Sequence, residues 1–145
     1  MILSGRRINE GMSGFIAEQI NKHLGRTPSR ILLLGLTFKE NVPDLRNSKS
    51  ADLVRHLTAM GHHVDVHDPC ADPDEAQKEY GLDLHPVLND IAPADCIVGA
   101  VRHEAYCEFT AEVLGAQVTD NGLIADLKGM WRHIEMPPGV RRWNL

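Results

Sequence analysis

The run Ile31-Leu32-Leu33-Leu34-Gly35-Leu36 constrains this chain more than any other segment. A strand with one wet face alternates apolar and polar side chains, and this run has no polar side chain at all. Both of its faces must be covered, the condition of a strand in a parallel sheet flanked by helices. Three further segments fit the same sheet: His63–His67, Ala94–Val101 and Leu123–Leu127. Helical patterns lie between them. Leu53, Val54, Leu57 and Met60 form an apolar stripe that starts near Asn47 or Ser48, either able to cap it, and ends at Gly61. Residues 71–80 read as an acidic helix and 108–115 as another. Alternating strands and helices predict an α/β fold, a Rossmann-like doubly wound, mostly parallel sheet of about five strands.

An amphipathic helix precedes the sheet. Ile8, Met12, Phe15, Ile16, Ile20 and Leu24 recur at helical spacing over residues 5–24, with Gly11 and Gly14 working against a continuous helix. Its apolar face either packs on this chain's own sheet or pairs with a second copy through Ile8, Met12, Phe15 and Ile20. The tail from Pro137 to Leu145 is basic, and Trp143 docks back onto the fold or onto another chain.

At 145 residues the chain has the size of one ordinary domain. Its net charge of −5 argues against nucleic acid or an anionic membrane as the main partner. No apolar run approaches the ~20 residues of a spanning helix, and Met1–Arg7 turns polar too soon for a signal peptide. Cys70, Cys96 and Cys107 are odd in number and lack CxxC spacing, which predicts a reducing, cytoplasmic setting.

In an open parallel sheet, ligands bind outside the carboxyl ends of the strands, where strand order reverses. A dinucleotide-binding domain carries GxGxxG after the first strand. Here the loop reads Gly35-Leu36-Thr37-Phe38-Lys39-Glu40-Asn41-Val42-Pro43-Asp44-Leu45-Arg46-Asn47-Ser48, with a single glycine. An autonomous NAD-binding domain is therefore rejected, and Asp68 is read as an Asp-Pro turn or cap rather than a ribose ligand. Lys39 supplies a point charge for a phosphate, Arg46 a bidentate fork, and the following helix start adds amide donors. The competing reading is a solvated loop with local ion pairs, Lys39–Glu40 or Asp44–Arg46.

This loop resembles the G-[LF]-[AT]-F-K-x-[ND]-x-x-D-x-R-x-S signature of the UDP-glucose/GDP-mannose dehydrogenase family, in its C-terminal UDP-binding domain. Weaker segments agree in order. Arg6–Met12 looks like the end of the family's central dimerisation helix, Val66-His67-Asp68-Pro69 matches its [VI]-x-D-P strand end, and Ala125-Asp126-Leu127-Lys128-Gly129 its D-x-[RK]-[GN] element. The Asp-Leu-Lys-Gly wording and the Trp143 tail look most like the branch acting on UDP-N-acetylhexosamines. The resemblance implies a division into 1–26, the end of the dimerisation helix, and 27–145, the UDP-binding α/β domain. It also implies a part in the NAD-dependent, two-step oxidation of C6 of a UDP-sugar to a carboxylate. Phe38 and Lys39 would contact the UDP-sugar, Lys128 the substrate from the late element, and Arg46 the NAD. Arg6 would reach a neighbouring subunit's site, in an enzyme that works as a homodimer.

Two family elements have no counterpart here: the GxGxxG cradle and the G-x-C-[FL]-P-K-D-like thiol segment. No catalytic residue is assigned, and the chain is expected to be inactive alone. Cys96, mid-strand, reads as a small buried hydrophobe. Asp44 is read as orienting Arg46 or capping the next helix. No metal site is expected. His63 and His67 are about 13 Å apart on a strand, His103 and Cys107 lack further ligands, and the acids from Asp68 to Glu79 suit a helix start. The histidines are read as surface groups with ordinary titration. The alternative to a dehydrogenase portion is a stand-alone, non-catalytic nucleotide-binding or dimerisation module.

Overall fold

The structure, a computed structural model, describes residues 2–25, 27–37, 41, 43–45, 48–85 and 87–144, with backbone alone for 2–11 and 89. The sheet is built from β1 (Arg30–Leu34), β2 (His63–His67), β3 (Ala94–Gly99), β4 (Val118–Asp126) and β5 (Arg141–Asn144). Their order is β2-β1-β3-β4-β5, and every pair is parallel. Order reverses at β1, which places the switch point between β1 and β3. The helices are α1 (Ile2–Leu24), α2 (Lys49–Ala59), α3 (Pro73–Tyr80), α4 (Glu104–Cys107) and α5 (Ala111–Gln117).

The apolar run does what its composition requires. Ile31 and Leu33 face one core with Cys96, Val98, Leu123 and Ala125, beneath α1 and α2. Leu32 and Leu34 face the other with Ile97, Ile124, Tyr106, Leu114 and Trp131. Alternation along each strand thus divides the interior into two cores. Cys96 is fully buried, and burial pushes its thiol well above the ordinary range, as expected of a small hydrophobe.

Helix α1 is continuous through Gly11 and Gly14. Gly14 lies against the His56 ring of α2, so a small residue sits where the two helices meet. Packing here outweighs the ~1 kcal/mol that a glycine costs a helix. Ile16, Ala17, Ile20 and Leu24 are buried in the first core. Ile20 is therefore an intramolecular contact and not part of a pairing face, whereas Met12 and Phe15 remain about half exposed. A buried His62 fastens the end of α1 to the sheet. Its Nδ1 accepts from the Ser29 N–H (3.1 Å), and its Nε2 donates to Asn21 Oδ1 (2.8 Å). Burial holds its pKa below the ordinary value, in keeping with a neutral ring.

The tail differs from the expectation of a last strand at Leu123–Leu127. Arg141–Asn144 forms β5, parallel to β4, with Arg142 opposite Ile124 and Trp143 opposite Ala125. Trp143 does dock back, its ring 5.8 Å from that of His23 and packed against the first core. The helix expected over 108–115 lies at 111–117, with the short α4 before it.

Ile20→Ala is expected to cost about 2–5 kcal/mol, and Phe15→Ala about 0.5 kcal/mol, in urea unfolding of the purified chain. Equal costs would contradict the assignment of α1 to this domain's core.

Candidate functional site

The loops after β1, β2, β3 and β4 meet at the carboxyl edge of the sheet, and one buried carboxylate joins three of them. Asp68, the residue after β2, is 6% exposed. Its Oδ2 accepts from the Leu36 N–H (2.6 Å), the Thr37 N–H (3.0 Å) and His103 Nε2 (2.9 Å). Its Oδ1 accepts from the Cys70 (2.7 Å) and Ala71 (3.2 Å) amides. The turn role read from Asp-Pro is present, but the larger part of the bonding reaches across to the β1 and β3 loops. Burial alone would raise the Asp68 pKa. The His103 hydrogen bond and the converging amides overcome it and hold the carboxyl below its ordinary range.

His103 is fully buried and stands at the N-cap position of α4. The Asn41 N–H donates to its Nδ1 (2.9 Å), so the ring proton belongs on Nε2, aimed at Asp68. Asn41 has φ of 59°, and its side-chain oxygen accepts from the Glu104 N–H (3.0 Å). The long loop after β1 is thereby pinned at Thr37 and Asn41. It is pinned again at Leu45, which is buried and whose carbonyl accepts from the Tyr80 hydroxyl, and at Ser48. Ser48 Oγ accepts from the Ala51 N–H (3.0 Å) and donates to the Leu36 carbonyl (2.5 Å). Ser48, not Asp44, caps α2. Gly35 opens this loop with φ of 104°, and a Cβ there would lie 2.5 Å from that of Val101. Only glycine fits.

The expectation of surface histidines fails at His62, His67 and His103, all buried. His67 Nδ1 donates to the Tyr106 hydroxyl (2.8 Å), which donates in turn to the His67 carbonyl (2.9 Å). Burial lowers the His67 pKa against the pull of Asp68.

Asp68, Cys70 and His103 bring three possible ligand atoms within 4.8 Å of one another. Cys70 Sγ is 3.6 Å from His103 Nδ1. The order thiol, imidazole, carboxylate has the form of an activated nucleophile, but the electrostatics run the other way. Burial and the Asp68 charge push the Cys70 thiol up, and the Nδ1 lone pair already receives the Asn41 amide. Both Asp68 oxygens are likewise spent on amide and imidazole donors. Hydrogen bonding accounts for this cluster without an ion or a reaction.

Of the site residues read from the sequence, Phe38, Lys39 and Arg46 lie outside the described residues. Lys128 is described. It sits exposed in the turn after β4, and Asp126 holds that turn. Asp126 is 1% exposed and accepts from the Met130 and Trp131 amides, both at 2.9 Å. Gly129, at φ 70°, completes the turn. The Asp-Leu-Lys-Gly element is thus a buried staple that presents a lysine. Lys128 lines a cavity of about 170 Å³ with Lys49, Ser50 and Leu53 of α2, Met12, Ser13 and Ile16 of α1, and Ala100 after β3. Helix α2 begins directly after the loop that follows β1, and its first turn lines this cavity. Lys49 was not singled out in the sequence; its only signal is its place at the first position of a helix that follows the loop.

A five-stranded, all-parallel sheet whose order reverses at β1, with helices between its strands, defines a Rossmann-like doubly wound domain. Residues 32–133 match the UDP binding domain of the UDP-glucose/GDP-mannose dehydrogenase family, and the chain belongs to that family. It is 37% identical to Protein CapL of Staphylococcus aureus, over 100% of this chain and 35% of that protein. It is 39% identical to the UDP-N-acetyl-D-glucosamine 6-dehydrogenase of Pseudomonas aeruginosa, over 88% of this chain and 31% of that one. Among solved structures, the UDP-D-ManNAc dehydrogenase of Pyrococcus horikoshii superposes with a TM-score of 0.72 at 26% identity, covering 94% of this chain and 32% of that one. The native UDP-N-acetyl-mannosamine dehydrogenase Cap5O of Staphylococcus aureus, at 18% identity, shares the fold with a TM-score of 0.76 over 97% of this chain and 32% of its own. The chain spans about a third of the length of the relatives it matches. Among the described residues, no helix is long and apolar enough to cross a membrane.

Asp68→Asn is expected to cost about 2–3 kcal/mol at neutral pH. Because the native carboxyl ionises below its ordinary range, its stabilisation is complete above the unfolded value of about 3.9 and is lost as pH falls below it. Urea unfolding across the acid range should show a steep acid limb in the parent chain and a flatter one in the variant. Parallel limbs would contradict the role given to Asp68.

Proposed function

We propose that this chain is the C-terminal, UDP-sugar-binding portion of an NAD-dependent nucleotide-sugar 6-dehydrogenase, which converts a UDP-hexose or UDP-N-acetylhexosamine to the uronate for polysaccharide precursors. The observation that carries this is the stapled Lys128 at a crevice beside the start of α2, in a domain of this family. A lysine and an amide-rich helix start suit a diphosphate. The cavity is smaller than a typical ligand pocket of ~300 Å³ or more. A UDP-sugar would seat part of itself there, with Phe38 and Lys39 as the further contacts that the family signature implies. The relatives named for UDP-N-acetylhexosamines support that substrate class.

The residues present do not fit a full NAD cradle. Gly35 is the single glycine of its loop, and Asp68, at the position of a ribose-binding acid, spends both oxygens on five internal donors. NAD would be held chiefly by another domain, with Arg46 reaching toward it from this one. The catalytic thiol would lie in that other domain too, since the Cys70 thiol is raised and Cys96 is core. The isolated chain is then inactive. Residues 1–26 would be the end of the dimerisation helix of the full enzyme, and α1 also contributes to this domain's core, so the division at 26/27 is one of role and not of packing. Pairing of two copies would use the face on which Met12 and Phe15 stay exposed. Three unpaired thiols suit a cytoplasmic setting.

Calorimetric titration of the purified chain with UDP and with NAD checks this reading. UDP is expected to bind, Lys128→Gln to weaken it about tenfold, and NAD to show no comparable affinity. Tighter binding of NAD, or reduction of NAD with a UDP-sugar, would contradict it.

A further inference from the structure

We propose that Lys49 is a second diphosphate-binding cation, meeting one phosphate from the start of α2 while Lys128 meets the other from the turn after β4. The inference rests on the reading above that the crevice receives UDP. Lys49 and Lys128 come from elements far apart in sequence, and both are exposed where they line one cavity. The rest of that lining is apolar or hydroxylic and contains no carboxylate. Among the described residues, neither lysine forms a salt bridge. The chain as a whole is acidic, with a net charge of −5, so two lysines on one cavity whose lining holds no carboxylate are a local excess of positive charge. An anion with two separated charged groups relieves it, and a diphosphate has that form. A monophosphate satisfies one lysine and leaves the other uncompensated. Lys49 therefore sets a preference for nucleoside diphosphates over monophosphates, and Lys128 alone does not.

The test is titration of the purified chain with UDP and with UMP, followed by amide chemical shifts, at two salt concentrations. The variants are Lys49→Gln, Lys49→Arg, Lys128→Gln and, as a charge control on α3 away from the cavity, Lys78→Gln. Amide spectra establish that each variant is folded. Lys49→Gln is expected to weaken UDP about tenfold, to change UMP much less, and to flatten the salt dependence of UDP binding. Lys49→Arg should keep most of the affinity, and Lys78→Gln all of it. If Lys128→Gln weakens UDP while Lys49→Gln does not, the assignment of Lys49 is overturned and the UDP reading stands. Equal losses for UDP and UMP on Lys49→Gln overturn the diphosphate preference. If UDP shifts no amide around the cavity in the parent chain, the UDP reading falls and Lys49 falls with it.

Discussion

Asp68 is a nearly inaccessible carboxylate that receives five hydrogen bonds, and the carboxyl edge of the sheet is arranged around it. An ionised carboxylate can be buried only if its charge is met by donors. Here the donors come from the end of β1, the turn after β2 and a neutral imidazole after β3. The same requirement therefore fixes three loops relative to one another. In a dinucleotide-binding domain an acid at this strand end faces a ribose. In this chain it has turned inward, and the glycine-poor loop after β1 has become longer and is held from within. His103 extends the constraint, since its second nitrogen accepts the Asn41 amide in mid-loop.

A second buried acid performs the matching task at β4. Asp126 accepts two amides of the following turn and so fixes the place from which Lys128 emerges. Two short sequence elements, Asp-Pro and Asp-Leu-Lys-Gly, thus share one physical logic. In each, a buried carboxylate at a strand end organises a loop. On the proposed reading, the positive charge offered to an anion among the described residues lies on Lys49 and Lys128, while the acids that shape the edge are met by internal donors.

The strands at Ile31–Leu34, Ala94–Gly99 and Leu123–Asp126 were legible because strands covered on both faces must be apolar throughout. β5 was not. Arg141, Arg142 and Asn144 lie on an edge strand with one neighbour, where Arg141 and Asn144 meet water and Arg142 turns back to the Trp131 and Ile134 carbonyls, and no period marks it. The continuity of α1 was obscured by Gly11 and Gly14, because local propensity does not register the contact between Gly14 and His56. The candidate residues of the loop motif and Lys128 come from their resemblance to a family signature, because spacing alone assigns them no role. The role of His103 could not be read. Its partners Asp68 and Thr37 stand 35 and 66 residues away, and only the topology brings them together. Eight histidines in an acidic chain read as surface groups, but burial at three of them follows from hydrogen bonds that no local pattern encodes.

A crystal structure of this chain grown with UDP tests most directly the claim that the stapled crevice is a uridine-diphosphate half-site. The account predicts the diphosphate between Lys128 and the start of α2, with the Asp68–His103 and Asp126 hydrogen bonds unchanged. UDP bound elsewhere on the chain, or bound in the crevice only after Asp68 has released the amides of the β1 loop, would contradict it.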